Sequence, residues 1–158
     1  MVQDVIWSSY LQVTPETSMA AMSALEASLG IELPGDYKQA LAQHAGEVTT
    51  PDAMPVGESS TAPFGPLLHL VSDASSSDMS YALQNARADL RDWGGAMAEW
   101  LIPIASDTSS GYFCLDYRHG RANPPVVFID MTCAPDDKDA ILAVAPSFSA
   151  ALDRLYQS

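Results

Sequence analysis

The chain has 158 residues, of which 20 are acidic and 7 basic, for a formal net charge of -13. Such a chain repels phosphate backbones and anionic lipid, which argues against nucleic-acid and membrane-surface binding. Apolar residues make up 47%, as in an ordinary globular domain, and no uncharged apolar run approaches the roughly 18 residues of a spanning helix. The opening MVQDVIWSSY carries Asp4 and no Lys or Arg, unlike the start of an export signal. Residues 14–29 predict a helix. Thr14 caps it, Pro15 and Glu16 suit its first turn, Met22, Leu25 and Leu29 recur at helical spacing, and Gly30 ends it. Residues 31–33 form a short extended link to Pro34. A second helix follows over 35–45, with Tyr37, Ala40, Leu41 and His44 on one face and Gly46 as its stop. Stretch 47–66 holds Pro51, Pro55, Pro63 and Pro66 among Ser, Thr and Gly, and reads as a long surface loop. A short strand, Leu67 to Val71, comes next. Ser72 to Asp78 then supplies caps for a third helix over 78–93. Its stripe is Met79, Leu83, Ala86, Leu90 and Trp93, and Gly94-Gly95 breaks it.

From Trp100 the period switches from 3.6 to 2. Strands are expected at 100–105, 111–118 and 125–130, with connections so short that they must be antiparallel neighbours. A loop with Asp136, Asp137 and Asp139 follows. Ser147 then caps a closing helix that turns Phe148, Leu152 and Leu155 inward. Helices first and strands second predict an α+β fold: a single antiparallel meander sheet with helices on one face, forming one domain over 1–158. Cys114 and Cys133 are too few for a disulfide scaffold and lie at no zinc-site spacing. They read as reduced thiols of a cytoplasmic protein; a disulfide is the alternative, since both lie near strands that could be neighbours.

Chemistry is scarce in these patterns. Gly94-Gly95 ends a helix and is no phosphate loop. His44, His69 and His119 have no partner at metal spacing, and no Gly-x-Ser-x-Gly elbow is present. Asp107, Asp116 and Asp130, at strand ends, could bind a divalent cation in a small metal-assisted hydrolase; turn chemistry is the other reading. No catalytic residue, metal or cofactor is assigned.

Four segments resemble one family. Leu29-Gly30-Ile31-Glu32-Leu33-Pro34-Gly35-Asp36-Tyr37 is similar to the L-G-hydrophobic-x-L-P-x-x-Y signature of the SMI1/KNR4 family, part of the SUKH superfamily. The run with Ile102, Pro103, Ile104, Ala105, Asp107, Gly111, Phe113, Leu115 and Asp116 resembles a second segment of that family, PPVVFID a third, and Ala145-Pro146-Ser147-Phe148-Ser149 with Leu152 a fourth. The resemblance spans residues 14 to 157. Stretch 47–66 is richer in Pro and Ser than the family's usual loop, and Met131 and Thr132 replace its common His or Glu. The resemblance implies an α+β fold and, for bacterial members, a non-enzymatic immunity protein that binds and neutralises a cognate toxin. Fungal members resemble regulatory scaffolds. An acidic chain suits a basic, nuclease-type toxin, to which it would be steered quickly. On this reading Asp73, Asp78, Asp107, Asp116, Asp136, Asp137 and Asp139 converge in part on one negative face. Trp100 or Tyr112 serves as its aromatic anchor. Pro34, Tyr37, Pro103, Gly111 and Phe148 are expected to be structural. Tyr37 should bury its ring and hydrogen-bond its hydroxyl near the surface, and Gly111 should hold a turn position.

Overall fold

A computed structural model describes residues 5–10, 19–70 and 82–157. The expected caps at Thr14–Glu16, the helix start at 78 with Met79, and Asp73 and Asp78 lie outside the described residues. The elements run β1 (Ile6–Ser9), α1 (Met19–Leu29), α2 (Gly35–His44), β2 (Glu47–Thr50), β3 (Ala53–Val56) and β4 (Ser60–Pro63). Then come α3 (Leu83–Gly94), a 3-10 segment (Gly95–Trp100), β5 (Leu101–Ser106), β6 (Gly111–Asp116), β7 (Val126–Asp130), β8 (Ile141–Ala145) and α4 (Phe148–Asp153).

α1 buries Met22 and Leu25. Gly30 stops it at φ +64°, and Ile31 N–H donates to Glu26 C=O at 3.1 Å, the reverse-turn closure common at helix ends. α4 is capped by Ser147, whose hydroxyl accepts from Ala150 N–H at 3.1 Å. Asp36 joins α2 to α4: its Oδ2 accepts from Ser149 N–H at 3.0 Å and Ser149 Oγ at 2.5 Å.

The expected strands at 100–130 form as a meander, β5-β6-β7, all antiparallel. β8 extends it by a fourth strand, which the sequence reading left in the approach to the last helix. The fold is α+β with antiparallel sheets, but the sheets are several rather than one. β1 pairs with β2 and β3 with β4, each as a separate two-stranded ribbon. Stretch 47–66 is therefore not a loop. Pro55 and Pro63 sit in its short, peripheral strands β3 and β4, where a missing N–H is tolerated, Pro51 and Pro66 lie between and beyond the strands, and Ala53, Met54, Val56, Ala62 and Phe64 are buried. Of the expected strand at 67–71, residues 67–70 form a buried extended connection instead, and Val71 lies outside the described residues. Leu67 and His69 make single bridges, to Ala105 and Ala82, and Leu68 N–H donates to Ile104 C=O at 2.8 Å.

Alternation along the strands divides the core in two. Ile102, Phe113, Leu115, Val126 and Phe128 face a large cluster shared with Met22, Tyr37, Leu41 and Phe148 of the other helices. Leu101, Cys114, Val127 and Ile129 face the opposite way, onto Leu90 of α3 and Ala98. Helical cover is thus two-sided rather than confined to one face. Both cysteines are free; Cys114 is buried, and Cys133 is half-buried. Among the described residues, no helix is long and apolar enough to cross a membrane.

Candidate functional site

The strand register decides which acids meet. Ser106 pairs with Tyr112 and Gly111 with Asp130, whereas Leu101 pairs with Asp116. Asp107 and Asp130 therefore share one rim of the sheet. Asp116 lies five strand steps from Gly111, about 17 Å away. The carboxylate trio expected of a metal-assisted hydrolase does not assemble, because an antiparallel strand separates its own two ends. Among the described residues, no three His, Cys, Asp or Glu side chains are placed to hold a metal ion.

On the shared rim the aspartates shape turns. Asp107 Oδ1 accepts from Ser109 N–H at 2.8 Å and Gly111 N–H at 3.0 Å. Asp130 Oδ1 accepts from Thr132 N–H at 3.0 Å and Thr132 Oγ1 at 2.6 Å. Asp137 Oδ1 accepts from Asp139 N–H at 2.9 Å. Turn chemistry and a charged rim are thus the same residues: each loop is closed by a carboxylate that stays near solvent.

Two adjoining hollows open beside this rim, between the β3–β4 hairpin and the edge strand β8. The smaller, about 340 Å³, takes in Asp107, Ser110, Phe128 and Asp130. The larger, about 930 Å³, is lined by Glu58, Asp130, Lys138, Asp139, Ile141 and Ala143 among others. Val56, Ser60, Asp130 and Leu142 belong to both, so they form one groove. Its walls include apolar residues, and its charged residues are Glu58, Asp107, Asp130 and Asp139 against Lys138. Asp136 and Asp137 lie exposed on the adjoining loop. Glu58 and the β8 residues were not among the expected binding residues, and Asp130 was expected only as a possible cation ligand or turn former. Glu58 was hidden because stretch 47–66 read as featureless loop.

The remaining expected site residues lie elsewhere. Trp100 is half-buried at the far end of the β5–β6 hairpin, with the Arg121 guanidinium 3.7 Å above its ring. Tyr112 packs partly into the second core and donates from its hydroxyl to Asp89 Oδ2 of α3 at 3.1 Å. Burial and the Asp89 carboxylate both push its pKa up. Asp116 is only 5% exposed and takes both arms of the Arg118 guanidinium, each at 2.9 Å. It forms an ion pair with Arg118, apart from the rim that Asp107 and Asp130 share. Another hollow, about 360 Å³, lies at Glu32, Pro34, Asp36, Asn123, Pro146 and Ser147, but Asp36 there holds α2 to α4.

The SMI1 / KNR4 family (SUKH-1) model matches residues 17–154. The chain belongs to this family. No curated protein sequence matches it. Within this SUKH-1 chain the signature residues act in packing. Pro34 precedes α2 with φ -59° and accepts Lys38 N–H at 3.0 Å. Tyr37 is fully buried, edge-on to Phe148 at 5.5 Å. Its hydroxyl, however, has no hydrogen-bond partner among the described residues, and burial raises its pKa. The bond expected of it is made by Tyr117, whose hydroxyl donates to Glu32 C=O at 2.6 Å. Gly111 is small for a different reason than a turn: it begins β6, and a Cβ there would meet Phe128 Cζ at 2.4 Å.

The Asp116–Arg118 pair sets a pH dependence. Burial acts to raise the Asp116 pKa, but the Arg118 side-chain and backbone hydrogen bonds and charge, with His119, outweigh it and hold the pKa below the ordinary 3.8. A carboxylate with a depressed folded-state pKa contributes stability that is complete above its ordinary value and is lost as pH falls through the folded one. Asp116→Asn should therefore lower stability at pH 7 and flatten the loss between pH 4 and pH 2. Urea midpoints across that range check it; parallel acid limbs for the two proteins would contradict it.

Proposed function

We propose that this chain is a non-enzymatic immunity protein that binds a cognate, basic toxin and neutralises it in the cytoplasm. SUKH-1 membership supports the class. The observation that carries the choice of surface is the groove between the β3–β4 hairpin and β8, where, among the described residues, Glu58, Asp107, Asp130 and Asp139 are set against the single base Lys138. A toxin that grips a phosphate backbone must present a basic cleft. A negative groove of this size steers such a domain inward and can cover that cleft. The separation of Asp116 from Asp107 and Asp130 speaks against the hydrolase alternative.

The test is co-expression with a toxin-like domain, should one be encoded beside this gene, or else with a panel of basic nuclease toxin domains. Expected are restored growth and a stable complex whose formation slows as salt rises. A toxin that kills regardless, with no complex at low salt, would overturn the reading. Binding without relief of toxicity would favour the regulatory-scaffold alternative.

A further inference from the structure

We infer that the groove takes an extended, basic segment of the partner as an added strand on the free edge of β8. This rests on the proposed binding role and names how the partner is held. Asp130 N–H donates to Ala140 C=O at 2.8 Å. In an antiparallel ladder the bonding direction alternates, so Ala140 C=O and the backbone groups of Leu142 point at β7, while Ala140 N–H turns back to Asp137 C=O at 3.1 Å. Ile141 and Ala143 point theirs away from it.

One of these outward groups is occupied: Gly57 N–H donates to Ala143 C=O at 2.8 Å. That confirms the direction and marks where the hairpin closes the edge. Beyond it, Arg154 Nη1 donates to Val144 C=O, so the C-terminal half of β8 is covered. Among the described residues, nothing bonds to the outward groups of the other half. Ile141 N–H, Ile141 C=O and Ala143 N–H face the larger hollow, where Ile141, Leu142 and Ala143 form its wall.

Sheet edges are usually guarded by lysine, proline or a covering element. The sequence Ile141-Leu142-Ala143-Val144-Ala145 has neither residue type, and Ala143 is exposed. Strand addition gains affinity from main-chain bonds and specificity from pockets for alternate side chains. Here the alternate positions of an incoming strand would meet Val56 and Leu142 on the floor. Glu58, Asp130 and Asp139 on the rim would select Lys or Arg.

The probe is a capped nonapeptide alternating lysine and valine, used against the intact protein. Three relatives accompany it: one N-methylated at every second residue, one with glutamate for lysine, and one with valine replaced by glycine. Amide NMR should show the first peptide shifting Ile141 and Ala143 and slowing their hydrogen exchange at least tenfold. The N-methylated and glutamate peptides should not do this, and the glycine peptide should bind more weakly. Ala143→Pro removes an outward N–H without touching the β7 ladder, and should abolish the effect while leaving the remaining amide spectrum folded. Equal binding by the N-methylated peptide, or unperturbed Ile141 and Ala143 amides, would overturn the inference whatever Ala143→Pro does. The two readings fail separately. A toxin complex untouched by Ala143→Pro removes strand addition and leaves the immunity role standing. Peptide binding at β8 with no toxin bound removes the immunity role alone.

Discussion

Phe113→Ala should destabilise the protein by about 3–5 kcal/mol, a large share of the roughly 5–15 kcal/mol that holds a domain folded. The ring is fully buried. Its centroid lies 5.1 Å from Phe64 and 5.0 Å from Phe128, so it joins the β3–β4 side of the core to the sheet. Removing it leaves a void that β6 cannot close, because both neighbouring strands hold it in register. Phe128 also lines the smaller hollow and fills the space above Gly111. The same variant should therefore disturb the groove. Denaturant midpoints with an unchanged slope would measure the effect, and a loss under 1 kcal/mol would show that the three rings are not one packed unit.

Charge reversal at the groove should act on association rather than on folding. Glu58→Lys, Asp136→Lys and Asp139→Lys together should slow binding of a basic toxin domain about ten- to a hundredfold at low salt. The gap should narrow as salt rises, since screening removes the field that the acids supply. Asp137 is left in place because its carboxylate closes the loop through Asp139 N–H. All three replaced side chains are exposed, and exposed charges contribute little to stability. Stopped-flow association across a salt series decides the matter. Rates equal to those of the parent protein would remove the groove from the interface, and an equal loss of folding would make these acids structural.

The strands between Leu101 and Asp130 were legible because runs of four or five apolar residues rich in β-branched and aromatic side chains are separated by turn residues. Pairing there is local, so pattern and topology coincide. β1 to β4 were not legible. Each is four residues long, and Ile6 finds its partner Thr50 across two intervening helices. No local period encodes a contact at that separation. β8 was missed for another reason: Leu142, Ala143 and Ala145 are good helix formers, so this short apolar run fits strand and helix equally.

The acids were visible as residues, but their grouping was not. Asp107 and Asp130 meet only through register. Glu58 joins them only because Gly57 docks on β8. Asp116 was misplaced although its partner stands two residues along the chain. Asp116 ends β6 and Arg118 stands in the turn that follows, where its N–H and its guanidinium both reach back to the carboxylate, and that spacing distinguishes a self-contained ion pair from a free acid.

The chain has three tryptophans, and one is wired to the acidic loop. Trp93 Nε1 donates to Cys133 C=O at 2.8 Å, mooring the segment that carries Asp136, Asp137 and Asp139 to the end of α3. Trp7 instead stacks flat on His44 at 4.5 Å, and Trp100 lies beneath Arg121. Three indoles in three different fields emit differently, and only Trp93 is bonded to the groove's own loop. The protein thus carries its own optical gauge of that loop. Lengthening the indole bond shifts the Trp93 emission, and occupancy of the groove can be followed in the unlabelled protein.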